Sequence, residues 1–329
     1  MTRRRTLLAA PLAVLAAAAA HAQAPRQPHV AVLGGSAGLA DPGTRRNIIE
    51  PLRDGLRALG WVEGRNLAIE WRFAEGMPER LPALLAEALA ASPEVLVTIG
   101  PRPALLARDA TKTLPVVAVW VDNPVSMGLA ASFARPGGNV TGISGFGEEL
   151  VARRLQLLKE LVPTLRRPAV LMNPLSVRRD LLEADLQRFG RQLGLPIQRV
   201  EASGAEQFDA AFAALQREGA DGLLVLADSV FYAQRMRLGE LVARQRLPSV
   251  WGHRTYLDAG GLASYQSDVP AMFRSGAAQV DKILRGAKPG EIPFEQATQL
   301  ELVINLKAAR ALGIDVPQAL RLQADEVIE

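Results

Sequence analysis

Cysteine is absent from this 329-residue chain. That excludes disulfides, thiolate metal sites, a cysteine nucleophile and a lipid-anchored N-terminal cysteine in one step, so burial alone must hold the fold. Aromatic residues are scarce as well, at 5%. An excess of one charge is also missing: the formal balance is +4, and the arginines are scattered singly beside acidic residues instead of forming a basic stripe. Nucleic acid is therefore not an expected partner. Beyond the N-terminus there is no run of eighteen apolar residues, so no membrane span is expected.

What is present begins with "MTRRRTLLAAPLAVLAAAAAHAQA", three arginines followed by an apolar stretch and small residues at A-x-A spacing. This is the pattern of an export signal, expected to cover 1–22 with cleavage after Ala22. Its removal takes three arginines and lowers the balance from +4 to +1. Only His29 and His253 then remain as histidines, without paired ligand spacing, so no metal and no cofactor are expected. The mature chain should be periplasmic, free of a lipid anchor and monomeric.

With 49% hydrophobic residues the chain has material for two cores. Its order is strand, helix, strand, helix. "HVAVLGG" is a buried strand closing on glycines; 45–61 carries Ile48, Ile49, Leu52, Leu56 and Leu59 at helical spacing; "EVLVTIG" and "VVAVWV" are further strands, the latter after a helix from about 104 to 110. After the glycine-rich "RPGGNVTGISG" the alternation restarts, with helices at 148–162, 177–194, 205–217 and 231–246. Such alternation predicts an α/β fold of two Rossmann-like lobes with parallel sheets. A further helix after both lobes implies that the chain crosses back, giving a three-crossing hinge.

In open parallel sheets ligands sit beyond the carboxyl ends of the strands. In the first lobe these ends carry Gly35 and Ser36, then Thr98, Gly100 and Arg102, then Trp120 and Asp122. In the second they carry Asn173, then Asp228, then His253 and Tyr256, while Ser144, Phe146 and Tyr265 lie at the crossings. Carboxylates, hydroxyls, turn amides and aromatic walls suit a small zwitterion with an apolar side chain. Asp122 or Asp228 would receive an ammonium group; Ser36, Thr98 and Arg102 would hold a carboxylate. Each has a plainer role available: Asp122 as a helix cap near Ser126, and Trp120 or Trp251 as core.

"GGSAG" matches G-x-S-x-G, and Ser36, Asp228 and His253 follow the chain order of an α/β-hydrolase triad. A nucleophile elbow turns directly into a helix, whereas "LADPG" intervenes here, so an exported hydrolase is the lesser alternative. The same glycines fail G-x-G-x-x-G because Ser36 occupies a required glycine position.

The stretches "GLRALGWVEGRNLAIEWRFAEG", "ARPGGNVTGIS", "AGGLASY" and "ELVINLKAARALGIDVPQALRLQADEVIE" resemble the substrate-binding proteins of ABC importers, in the branch related to tryptophan and tyrosine binders. The resemblance implies a type I periplasmic binding protein fold, capture of a small-molecule ligand between the lobes, delivery to an ABC permease of the inner membrane, and no catalysis. It divides the chain into lobe 1 at 28–142 plus about 266–290, and lobe 2 at 143–265 plus about 291–329. Carried over by position, the cleft loops are Gly35 and Ser36, Gly100 and Pro101, and Asp122 with Pro124. Two departures stand out: "GPRP" replaces a Gly-Thr-Pro turn, and Asn123 is inserted before Pro124. An arginine at 102 fits a ligand with an extra carboxylate, or else stands in solvent. A ligand-sensing subunit of a membrane receptor would bind in the same way and differ only in its partner.

Overall fold

The computed structural model describes residues 27–146, 149–177 and 179–329. The expected export segment at 1–22 lies outside them. From β1 (His29–Gly34) the chain enters α1 (Pro42–Thr44), a π-helical turn at Arg45–Ile49, and α2 (Glu50–Ala58). The helical run starts before the expected 45 because Asp41 caps it, accepting the Thr44 N–H at 2.7 Å, and Pro42 occupies its first turn. Next come β2 (Ala68–Phe73), α3 (Leu81–Ala90), β3 (Val95–Ile99), α4 (Pro101–Ala110) and β4 (Val116–Val121). α4 also begins ahead of the expected 104, at a proline suited to a first helical position.

The glycine-rich stretch contains a strand that the sequence reading passed over, β5 (Val140–Ser144). Its Gly142 is required by contact, since a Cβ there would lie 1.8 Å from the Ala118 carbonyl oxygen on β4. The second series runs through α5 (Glu149–Leu161), β6 (Pro168–Met172), α6 (Arg179–Leu193), β7 (Gln198–Glu201), α7 (Phe208–Glu218) and β8 (Gly222–Val225). α8 (Ser229–Ala233) and α9 (Arg235–Arg244) replace the single helix expected at 231–246, and β9 (Ser249–Trp251) and β10 (Ala263–Ser267) follow. The chain ends with α10 (Val269–Leu284), β11 (Glu295–Gln296), β12 (Leu300–Asn305), α11 (Leu306–Leu312), α12 (Gln318–Gln323) and β13 (Glu326–Ile328).

Two sheets result. The first, ordered β11-β5-β4-β3-β1-β2, is parallel throughout; the second, β13-β12-β10-β9-β8-β6-β7, is parallel except where β12 meets β10. The first sheet therefore reaches Ser144 and Gln296, beyond the boundaries 142 and 290 drawn from sequence. Each sheet is covered on both faces, which explains its unbroken apolar strands. In lobe 1, Val30, Val32, Val97, Val117 and Val119 face α2 and α10, while Ala31, Leu33, Leu96, Val116 and Ala118 face α3 and α4. Lobe 2 repeats the scheme, with Leu171, Leu223 and Val225 packing on the α7 side and Val170, Leu224 and Val250 on the α5 side.

The chain passes between lobes after β5, after β10 and after β11. These passages are bonded to one another: Ala297 N–H donates to Ser144 O at 2.7 Å, Asp268 N–H to Gln299 O at 3.0 Å, and Phe146 N–H to Ser267 Oγ at 3.2 Å. α10 fastens the return to lobe 1. Gly55 of α2 has no room for a Cβ, which would sit 2.7 Å from Ala277 Cβ, and Trp61 Nε1 donates to Asp281 at 2.7 Å.

Candidate functional site

The carboxyl ends of the strands of both sheets border a cavity of about 240 Å³ between the lobes. Of the residues expected there, Gly35, Ser36, Gly100, Pro101, Arg102, Trp120, Asp122, Asn173, Asp228 and Tyr256 all line it. Thr98 and Ser144 do not. The pleat turns Thr98 away from Ile99, which does line the cavity, toward the face of Leu96. Ser144 sits behind the wall, its hydroxyl donating to the Asp122 carbonyl at 2.6 Å.

Trp120 owes its place to a break in the strand. β4 alternates faces up to Val119; then the register with β5 shifts between Val119 and Val121, and Trp120 takes φ +62°. Val121 consequently joins the face of Val116 and Ala118, reversing the parity of the strand. The left-handed backbone of a bulky residue is unusual and costs on the order of 1–3 kcal/mol. It sets the indole against His253 of the other lobe, ring centroids 5.2 Å apart.

The acidic residues divide their work differently from the sequence reading. Asn123, not Asp122, caps the following turn, its Oδ1 accepting from Val125 and Ser126 N–H at 3.0 and 3.1 Å. Asp228 is itself a helix cap: Oδ1 accepts from Val230 and Phe231 N–H at 2.8 and 3.4 Å, and Oδ2 from Asn173 Nδ2 at 3.2 Å. Burial raises the Asp228 pKa, and these bonds with the Arg102 charge only partly oppose it. Each of its oxygens already accepts a bond from the protein, so a ligand ammonium would share them with the cap. Trp251 is core, fully buried and stacked on Tyr256 at 4.9 Å.

His253 is buried, and its Nδ1 accepts the Thr255 N–H at 3.2 Å. Burial, followed by the charges of Arg254, Arg235, Arg154 and Arg46, pushes its pKa down to about 3. The ring is thus neutral, and where Nδ1 accepts from Thr255 its proton sits on Nε2. With Nδ1 bonded to Thr255 and Asp228 engaged in a cap, Ser36, Asp228 and His253 form no proton relay. Among the described residues no group of three metal-ligating side chains occurs.

Among the polar lining residues that the sequence reading lacks are Arg154 and Tyr232. Arg154 is 5% exposed, and its Nε donates to the Tyr265 carbonyl at 2.6 Å. Burial lowers its pKa to about 10 against the pull of Asp122 and Tyr265, so it stays charged at neutral pH. A signal existed: Arg154 interrupts the apolar stripe Leu150, Val151, Leu155, Leu158 of α5.

On the side of α9 the lobes meet directly. Arg235 forms an ion pair with Asp41 across the seam, and Arg46 lies 3.4 Å from Asp258. Burial alone would raise the Asp41 pKa, but the bonds from Arg235 and Thr44 outweigh it and leave the carboxyl below its ordinary value.

Comparison with known proteins supplies the family. A tyrosine-binding protein of Clostridioides difficile (strain R20291) is 22% identical over 284 residues, covering 86% of this chain and 79% of that protein. Among solved structures, an ABC domain from Streptococcus pneumoniae in complex with L-Trp is 22% identical, with TM-score 0.83 over 92% of this chain and all of that one. The ligand-free, open structure of a substrate-binding protein with adhesive properties from Clostridium difficile is 18% identical, with TM-score 0.64 over 92% of this chain and 99% of that one. Residues 39–328 match the family described as ABC transporter substrate binding protein. The chain belongs to the ABC transporter substrate-binding proteins, which bind solutes and are not enzymes.

Proposed function

We propose that this protein captures a small molecule with an apolar body in the cleft between its lobes and delivers it to an ABC permease. The observation that carries the reading is the cavity itself. It lies at the carboxyl ends of two parallel sheets, is walled by Trp120, Phe146 and Tyr256, and is bordered by the bonded passages between lobes. Amino acids and aromatic or other carboxylic acids are the ligand classes that fit, in line with the tyrosine and tryptophan recorded for its relatives. The protein acts as an extracytoplasmic monomer, with the N-terminal segment as its export signal.

Ligand bridges the lobes and shifts an equilibrium between open and closed forms, because only the closed form contacts it from both sides. The higher similarity to the tryptophan-complexed relative than to the open, ligand-free one supports reading the present arrangement as closed. A thermal-shift screen of the mature protein against amino acids, aromatic acids and dicarboxylates tests this. A ligand at a hundredfold excess over its Kd stabilises the fold by about 2.7 kcal/mol. A hit recovered chemically unchanged is the expected result; turnover of the bound compound would overturn the reading.

A further inference from the structure

The polar groups of the cavity wall are unequal in what they offer. Asp228 already accepts bonds from Val230, Phe231 and Asn173. Donors remain: the His253 Nε2–H and the Ser36 hydroxyl are buried, line the cavity and have no hydrogen-bond partner among the described residues. Buried polar atoms are almost always satisfied in a native protein, so a donor without a partner at a cavity wall points to an acceptor brought by a ligand. Where Nδ1 accepts from both the N–H and the hydroxyl of Thr255, at 3.2 and 2.8 Å, Nε2 is left the donor role.

Beside these neutral donors stands a guanidinium. α5 packs across β9, and Arg154 of α5 and His253, two residues beyond β9, both line the cavity. A charged side chain only 5% exposed is costly to keep unless its charge is answered. Its Nε is bonded to a neutral carbonyl, and Asp122 faces it electrostatically from lobe 1. A guanidinium carries five N–H donors in a fork matched to a planar oxyanion.

We propose that Arg154 and His253 form a carboxylate subsite on the lobe 2 wall, so that the solute is captured as a carboxylate, with Trp120 covering its body from lobe 1. Arg154 supplies the charge and the paired donors. His253 supplies one neutral donor that stays neutral wherever the protein is folded at ordinary pH. Ser36 adds a hydroxyl when lobe 1 closes. This assignment deepens the solute-binding reading and rests on it.

The test uses matched pairs of acid and amide: benzoate and benzamide, 3-phenylpropionate and 3-phenylpropanamide, L-phenylalanine and its amide, succinate and succinamide. The wild-type protein is titrated calorimetrically with each. At least one acid is expected to bind about 30-fold or more tightly than its amide, the scale of losing one partner of a buried charge pair. Arg154→Met should remove that preference, Arg154→Lys should retain part of it, and His253→Phe should weaken the acid without improving the amide. Circular dichroism checks each variant's fold, and the wild-type acid-to-amide ratio needs no variant. Equal binding of acid and amide, or a preference that survives Arg154→Met, overturns the subsite while leaving solute capture intact. Binding of no compound in either set overturns the solute reading of the cleft as well.

Discussion

Replacing Arg235 by glutamine tests whether the lobes part along the seam that this residue closes. Its guanidinium and the Asp41 carboxylate are 12% and 14% exposed, so the pair is neither a surface bridge nor a fully buried one. Exposed pairs contribute about 0–1 kcal/mol, and breaking a buried one costs about 3–5. A value of about 2 kcal/mol is appropriate here. Arg235 also stacks over Tyr232 at 5.2 Å and bonds the Tyr232 carbonyl at 3.0 Å, but both contacts lie within lobe 2 and persist when the lobes separate. They cancel from the difference between open and closed forms. The Arg46–Asp258 contact crosses the seam too, but its side chains are 54% and 56% exposed and it adds little. The closed form should therefore lose about 2 kcal/mol, which moves the closed-to-open ratio by about 30-fold. If the empty wild type is mostly open, calorimetry on Arg235→Gln should show ligand affinity falling by about that factor; if it is mostly closed, affinity should fall less and small-angle scattering of the empty variant should show a larger radius of gyration. Arg46→Gln should change affinity less than about threefold. If Arg235→Gln lowers thermal stability but leaves affinity and scattering unchanged, the pair is a folding contact and the seam does not open.

Acid should destabilise the protein through His253, whose native pKa of about 3 lies below its unfolded value of 6.5. The unfolded chain takes up the proton first, so this contribution is complete above pH 6.5 and is lost toward pH 3, by up to about 1.4 kcal/mol per unit. Denaturant titrations of wild type and His253→Phe across that window should differ in slope; parallel curves would contradict a buried neutral imidazole. Gly142→Ala should cost about 3 kcal/mol or more, because its Cβ collides with the β4 backbone, whereas Gly138→Ala, with open space around it, should stay within about 0.5 kcal/mol. Melting temperatures of the two variants check this. Asp228→Ala should lose about 1–2 kcal/mol of cap stability, and Asp228→Asn should bind ligand within a few-fold of wild type. A loss of binding in Asp228→Asn comparable to that in Arg154→Met would return Asp228 to the ligand.

The two-lobed architecture was legible because each sheet is covered on both faces, so its strands read as short apolar runs between helices. β5 escaped notice for a physical reason. The contact that brings it against β4 requires Gly142, and glycine erases the apolar pattern by which strands are recognised. Strand ends located most of the cavity wall, but counting to an end says nothing about pleat, which is why Thr98 and Ser144 were drawn in and then fell behind it. The carboxylates were harder. Whether Asp228 holds a ligand or a helix is decided by which N–H groups lie within 3.5 Å, and chain order does not carry that. Arg154 is readable as a charge on an apolar stripe, but it stands inside α5, away from the strand ends at which parallel sheets bind ligands.

The interleaving of the lobes governs the order in which the molecule can be made. α10 seals one face of lobe 1 through Phe273, Ala277 and Val280, and β11 closes the edge of β5, yet both follow nearly all of lobe 2 in the chain. Lobe 2 in turn waits for β12 and β13. A polypeptide emerging N-terminus first keeps two unfinished sheets, each with an open edge and an uncovered apolar face, until about its last thirty residues are available. Both halves then become complete almost together, so truncation back past α10 opens both lobes, whereas loss of only about the last thirty residues strips β12 and β13 from lobe 2, and the nascent chain has no self-sufficient first half to collapse early.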